Sequence, residues 1–143
     1  MRRVGDFPLW IGTARDARDL RAVLNAGIEA IVDLAVEEPP IAVTRELVYL
    51  RLPLLDGDGN TRQRLRMAMW AIEELVGDQV PTLVACSAGM SRSPALVAVV
   101  VAQFKGIPAE DVLRDLRMSG PVDVSPGLWQ SLQPAFYSYD RPA

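Results

Sequence analysis

Histidine is absent from all 143 residues, and that absence removes more chemistry than any other feature of the composition. Ser-His-Asp and Cys-His nucleophile pairs both need an imidazole, as do most catalytic zinc sites. Cysteine occurs once, at Cys86, so no internal disulfide can form, and a reducing cytoplasmic setting is expected. Oxidation of Cys86 would have to be reversed by an external thiol. Lysine also occurs once, at Lys105, and the net charge is −3, so the chain lacks the basic footprint of a nucleic-acid binder. No apolar run is long enough to cross a membrane, and the longest, Ala95 to Phe104, reads as a buried helix. Arg2 and Arg3 are followed by Asp6 and Pro8, which interrupt any secretory hydrophobic segment.

What the chain does contain is enough hydrophobic residue, half of the total, to build a core of its own. No repeat, low-complexity stretch or linker divides it, so residues 1–143 are read as a single domain. Leu9 to Ile11 predicts a short strand and Thr13 the cap of a helix reaching Ala26, with Ala17, Leu20, Val23 and Leu24 on one face. Ile28 to Ala35 reads as a strand buried on both sides. Glu37-Glu38-Pro39-Pro40 follows as a loop. Leu47 to Leu52 is a further strand that Pro53 ends or places at an edge. The turn cluster Asp56-Gly57-Asp58-Gly59-Asn60 precedes a helix from Thr61 to Val76 striped by Leu65, Met69, Ile72 and Val76. Thr82 to Cys86 is a strand and Arg92 to Phe104 a helix with Pro94 in its first turn. Helices from Pro108 to Arg117 and from Ser125-Pro126 to about Tyr137 complete the order. Trp129, Tyr137 and Tyr139 are assigned to packing. Alternating strands and helices predict an α/β fold with a mainly parallel central sheet flanked by helices.

One loop carries chemistry. Cys86-Ser87-Ala88-Gly89-Met90-Ser91-Arg92-Ser93 leaves an apolar strand and enters an apolar helix. Backbone N–H groups at such a junction converge at the positive end of a helix dipole and make an anion site. Cys86 at its base is drawn towards thiolate by those dipoles and by Arg92, and thiolate is the nucleophilic form.

With the serine after its arginine, this loop resembles the Cys-x5-Arg-Ser/Thr signature of cysteine-dependent protein tyrosine phosphatases. Its Ala-Gly-x-Ser-Arg-Ser wording is most similar to the dual-specificity branch. The Trp10-Ile11-Gly12 strand, Ala26-Gly27-Ile28 before Ile31-Val32-Asp33-Leu34, the Pro53-Leu54-Leu55-Asp56 turn and the Ser125-Pro126 cap are similar in the same order, across nearly the whole chain. The resemblance implies the protein tyrosine phosphatase-like fold and metal-independent, cofactor-free hydrolysis of phosphate monoesters. Cys86 would be the nucleophile and Arg92 the clamp on two equatorial oxygens. Backbone N–H groups of Ser87, Ala88, Gly89, Met90, Ser91 and Arg92 would form the phosphate cradle. Ser93 would hydrogen-bond the sulfur and ease its departure, with Ser91 as scaffolding. Asp56, thirty residues before Cys86, is the expected general acid, and Asp58 the competitor for that role. An acid that must be protonated implies an activity optimum below neutral pH.

The family usually places histidine directly before the cysteine, where this chain has Ala85. Slower turnover near neutral pH is therefore expected. The loop interior carries no cation before Arg92, which disfavours polyphosphates and inositol phospholipids and favours phosphotyrosine or phosphoserine/threonine in proteins. A phospho-residue binding module with weak catalysis is the rival class, against which an intact Cys86 counts. Sulfur transfer or arsenate reduction comes third, the first leaving Asp56 idle and the second needing more thiols. No nucleic-acid or membrane partner is expected.

Overall fold

The computed structural model describes residues 1–44 and 46–137. Five strands form one sheet: β1 (Arg2–Arg3), β2 (Leu9–Gly12), β3 (Ala30–Ala35), β4 (Val48–Leu54) and β5 (Thr82–Ala85). Their spatial order is β1-β2-β5-β3-β4. All neighbours run parallel except β1, which pairs antiparallel with β2. The expected mainly parallel α/β sheet is thus present, with a two-residue edge that periodicity could not reveal. β3 and β5 are buried at every position, as strands covered on both faces must be. Pro53 lies inside β4, and it is tolerated there because β4 is an edge strand.

The segment from Thr13 to Ala26 is two helices, α1 (Ala14–Arg18) and α2 (Leu20–Asn25), and not one. Asp19 breaks it: at φ −82° and ψ 76° its backbone leaves the helix, and its carboxylate accepts the Ala22 N–H to start α2. The turn this introduces rotates Leu24 outward, so Leu24 is exposed while Ala17 and Val23 remain buried. Thr13 caps α1 in a reciprocal box with Asp16.

On the other face lie α3 (Arg62–Gly77), α4 (Arg92–Lys105), α5 (Ala109–Ser119) and α6 (Pro126–Tyr137). Thr61 caps α3, and the predicted stripe Leu65, Met69, Ile72 and Val76 is buried. α4 is buried continuously from Arg92 to Ala102, which makes it the central helix of that layer. Alternation along β5 divides the core: Val84 and Cys86 face the α3–α6 layer, while Leu83 and Ala85 pack with Ala17, Val23, Ile28 and Ile31. Ala85, at the position where the resembled family carries histidine, is therefore a core residue of the α1–α2 side.

Candidate active site

Four parallel strands end at one edge of the sheet, and the loops that follow them meet there. Such an edge is where open α/β sheets bind ligands. β2 delivers Gly12 and Thr13, β3 delivers Val36 to Glu38, β4 delivers Leu55 and Asp56, and β5 delivers Cys86. At this end of the sheet lies a cavity of about 340 Å³ lined by Glu37, Asp56, Cys86, Ser87, Ala88, Met90, Ser91, Arg92 and Asp123.

The loop from Cys86 to Ser91 is held on two sides. From the β2 end, the Ala14 N–H donates to Ser87 O at 3.0 Å. From the α5–α6 connection, the Asp123 N–H donates to Met90 O at 2.8 Å. Gly89 sits at φ +72°, and a Cβ there would lie 3.0 Å from Gly12 O, so both conformation and clearance require glycine. Ser91 occupies the cap position of α4 but makes no cap hydrogen bond, which leaves the first-turn N–H groups of α4 open to an anion.

Arg92, the first residue of α4, is 4% exposed. Its Nη1 and Nη2 donate to the two carboxylate oxygens of Glu37 at 3.0 and 2.5 Å, and Nη1 also donates to Leu54 O at 2.9 Å. Nε is buried without a partner among the described residues. A guanidinium has five N–H donors in a planar fork, so the uncommitted ones are Nε–H and the second Nη2–H, side by side on one edge. Burial alone would lower the Arg92 pKa. The hydrogen bond and charge of Glu37, with Cys86 and Asp56 adding, outweigh it and hold the group above the ordinary arginine value.

Glu37 is supported from below. Arg51 Nη2 donates to Glu38 O at 2.7 Å and to Val36 O at 3.3 Å, while Ser87 Oγ donates to the Glu38 carboxylate at 2.9 Å. Arg18 pairs with that carboxylate at 3.5 Å. These contacts make the Glu37-Glu38 segment part of the site, although its sequence reads only as a proline-bounded loop. Its one signal was its place after a strand that neighbours the central strand. Asp123 is a second lining residue that no motif marks.

Cys86 is 2% exposed at the base of the cavity. Asp56 lines the cavity and accepts a hydrogen bond from Ser91 Oγ at 2.5 Å. Its loop is closed by Asn60, whose side-chain oxygen accepts from the Leu55 N–H and whose amide donates to Leu55 O, both at 2.7 Å. Asp58 is not among the lining residues; a Cβ added at Gly127, on α6, would lie 3.1 Å from Asp58 Cβ. Ser93 Oγ is fully buried and has no hydrogen-bond partner among the described residues. Trp129 packs against the core and lines a separate cavity with Leu113 and Val124. The Tyr137 side chain and Tyr139 lie outside the described residues. Among the described residues, no group of three or more His, Cys, Asp or Glu is placed to hold a metal ion.

Residues 9–134 match the family model for the dual specificity phosphatase catalytic domain. Human dual specificity protein phosphatase 15 is 28% identical over 127 residues, covering 87% of this chain and 42% of that protein. Mouse dual specificity phosphatase 28 is 28% identical over 127 residues, covering 87% of this chain and 77% of that protein. The chain thus spans less than half the length of the first relative. The crystal structure of human DUSP28 superposes with a TM-score of 0.82 at 24% identity over 96% of each chain. That of a mouse putative dual specificity phosphatase complexed with zinc tungstate superposes with a TM-score of 0.80 at 26% identity, covering 95% of this chain and 86% of that one.

Proposed function

Because the chain belongs to the dual specificity phosphatase catalytic-domain family, we propose that it hydrolyses phosphate monoesters through a cysteinyl-phosphate intermediate on Cys86. The observation that carries this reading is the free edge of Arg92. With Glu37 and Leu54 O holding the rest of the guanidinium, Nε–H and Nη2–H remain as a parallel fork in the wall that also holds Cys86. Two equatorial phosphate oxygens match that fork, and the open N-terminus of α4 adds backbone donors. The mouse structure complexed with zinc tungstate supports the same chemistry, tungstate being a tetrahedral oxyanion.

In the first step Cys86 Sγ bonds to phosphorus as the ester P–O bond breaks, and Asp56 gives its proton to the leaving oxygen. In the second, water bonds to phosphorus as the P–S bond breaks, and Asp56 takes the proton from that water. Ser93, with an Oγ–H free of other partners, stabilises the departing thiolate. We assign the acid to Asp56 over Asp58 because Asp56 lines the cavity.

The lining supplies one guanidinium against three carboxylates, Glu37, Asp56 and Asp123, which favours a single phosphate group over a polyphosphate. Exposed Val36, Leu55 and Met90 adjoin or line the cavity and suit the flank of a phosphorylated protein side chain, phosphotyrosine or phosphoserine/threonine. We read the chain as one catalytic domain acting in the reducing cytoplasm, to which its single thiol is suited. No helix among the described residues is long and apolar enough to cross a membrane.

The test is hydrolysis of p-nitrophenyl phosphate in the presence of a chelator across pH 5 to 8. Turnover should proceed without metal, be inhibited by vanadate and stop when iodoacetate alkylates Cys86, the single thiol. Turnover that survives full alkylation would remove Cys86 from the mechanism. Asp56→Asn should slow phenyl phosphate, a poor leaving group, by about 10²-fold or more, and p-nitrophenyl phosphate far less. Equal slowing of kcat/KM, which reports only the first step, for both esters would take the acid role away from Asp56.

A further inference from the structure

At the cap position of α4 the Ser91 carbonyl accepts the Ala95 N–H at 2.9 Å, but its side chain makes no cap hydrogen bond and is committed elsewhere. Its Oγ accepts the Ser125 N–H at 2.9 Å and lies 2.5 Å from Asp56 Oδ1. A backbone N–H can only donate, so one lone pair of the hydroxyl is taken by Ser125. Asp56 Oδ1 is the acceptor in reach for the hydroxyl proton. A proton resting on Oδ1 would strand that of Ser91, a nearly buried residue, without an acceptor among the described residues.

From this pairing we infer that Ser91 is a positioning residue for the general acid. It reserves Oδ1 as a hydrogen-bond acceptor and thereby places the transferable proton on Oδ2. The inference rests on the phosphatase reading and adds to it the oxygen from which the proton is delivered. It also explains how the acid loop keeps register with the nucleophile loop. Asn60 closes the Asp56 loop on itself, and Ser91 joins that loop to the phosphate cradle. The α5–α6 connection sets the hydroxyl rotor through Ser125 and the neighbouring backbone through Asp123. Proximity without this orientation is worth little, because proton transfer depends on a near-linear approach to the leaving oxygen.

The experiment compares Ser91→Ala, Ser91→Thr and Asp56→Asn, singly and combined, on phenyl phosphate and p-nitrophenyl phosphate, with vanadate inhibition as the measure of the cradle. Ser91→Ala should lower kcat/KM for phenyl phosphate about tenfold more than for p-nitrophenyl phosphate, with the vanadate inhibition constant within about twofold of wild type. Ser91→Thr, which keeps the hydroxyl, should recover most of the difference. In the Asp56→Asn background the Ser91→Ala effect should vanish, because two residues acting through one proton are not additive. Equal slowing of both esters, a matching loss of vanadate affinity, or an undiminished effect in the Asp56→Asn background would each overturn the inference. Those outcomes require an active wild type; no turnover, or turnover that survives alkylation of Cys86, would overturn the phosphatase reading itself.

Discussion

Cys86→Ser is expected to lower p-nitrophenyl phosphate turnover by about 10⁴-fold or more while phosphate and vanadate still bind, a scale typical of removing a covalent nucleophile. Serine is isosteric with cysteine, so the loop keeps its shape, but its hydroxyl is protonated near neutral pH and becomes a nucleophile only beside a base. The chain has no histidine to serve. Of the carboxylates in the cavity, Glu37 is committed to Arg92, and Asp56 as the proposed acid must carry a proton in the first step, so it is not available as the base that a serine would need. The proposed cradle does not depend on sulfur, since it would consist of backbone N–H groups, the α4 N-terminus and the free edge of Arg92. The variant buries a hydroxyl where the thiol was 2% exposed, at a cost of roughly 1–3 kcal/mol. Circular dichroism should accompany the assay to show that the fold persists. Steady-state kinetics paired with calorimetric titration of phosphate gives the answer. Loss of binding together with turnover would mean that sulfur holds the loop open, and residual turnover above a hundredth of wild type would remove the covalent intermediate.

The parts of this site legible in the sequence are those written locally. Cys86 to Ser93 is contiguous, its flanking apolar runs fold as β5 and α4, and Gly89 has the positive φ that a tight loop uses. The α3 stripe was legible for the same reason: Leu65, Met69, Ile72 and Val76 repeat at helical spacing and are all buried. The single helix read across Thr13 to Ala26 failed at Asp19, where a side-chain cap outcompetes continuation, an energy that hydrophobic periodicity does not register. β1 is too short for any periodic signal and exists because Arg2 and Arg3 pair with Ile11 and Trp10. Glu37 was illegible because its function is a distance: it lies 55 residues before Arg92, and only the sheet order, which sets β3 beside β5, brings the carboxylate to the guanidinium. Asp56 was favoured over Asp58 by the resemblance, while the two acids share one turn of the sequence. Their separation is set by Asn60 closing the loop and by Gly127 admitting Asp58.

That long-range pairing gives the second large effect. Arg92→Lys should reduce kcat/KM by about 10²–10³-fold, the scale seen when a preorganised donor to developing charge is lost, despite conserving the positive charge. In the proposed mechanism Arg92 can serve two anions at once because its fork has separate edges: the Nη1/Nη2 end takes Glu37, and the Nε/Nη2 side remains for phosphate. An ammonium is a single point with three donors, and in this wall it would settle on Glu37 and Leu54 O, the acceptors already present. The phosphate would then lose its bidentate partner in ground state and transition state alike, so KM for p-nitrophenyl phosphate should rise and kcat fall together. Glu37→Gln separates orientation from charge. It keeps one acceptor for the guanidinium but removes the carboxylate, which is 49% exposed and so partly screened by solvent, and the expected loss is nearer tenfold. If the two-edge geometry governs, the order of activity is wild type, then Glu37→Gln, then Arg92→Lys, with vanadate inhibition weakening in that same order. An Arg92→Lys enzyme that keeps a tenth of wild-type kcat/KM would show that charge alone suffices and that the free edge is not what holds the phosphate.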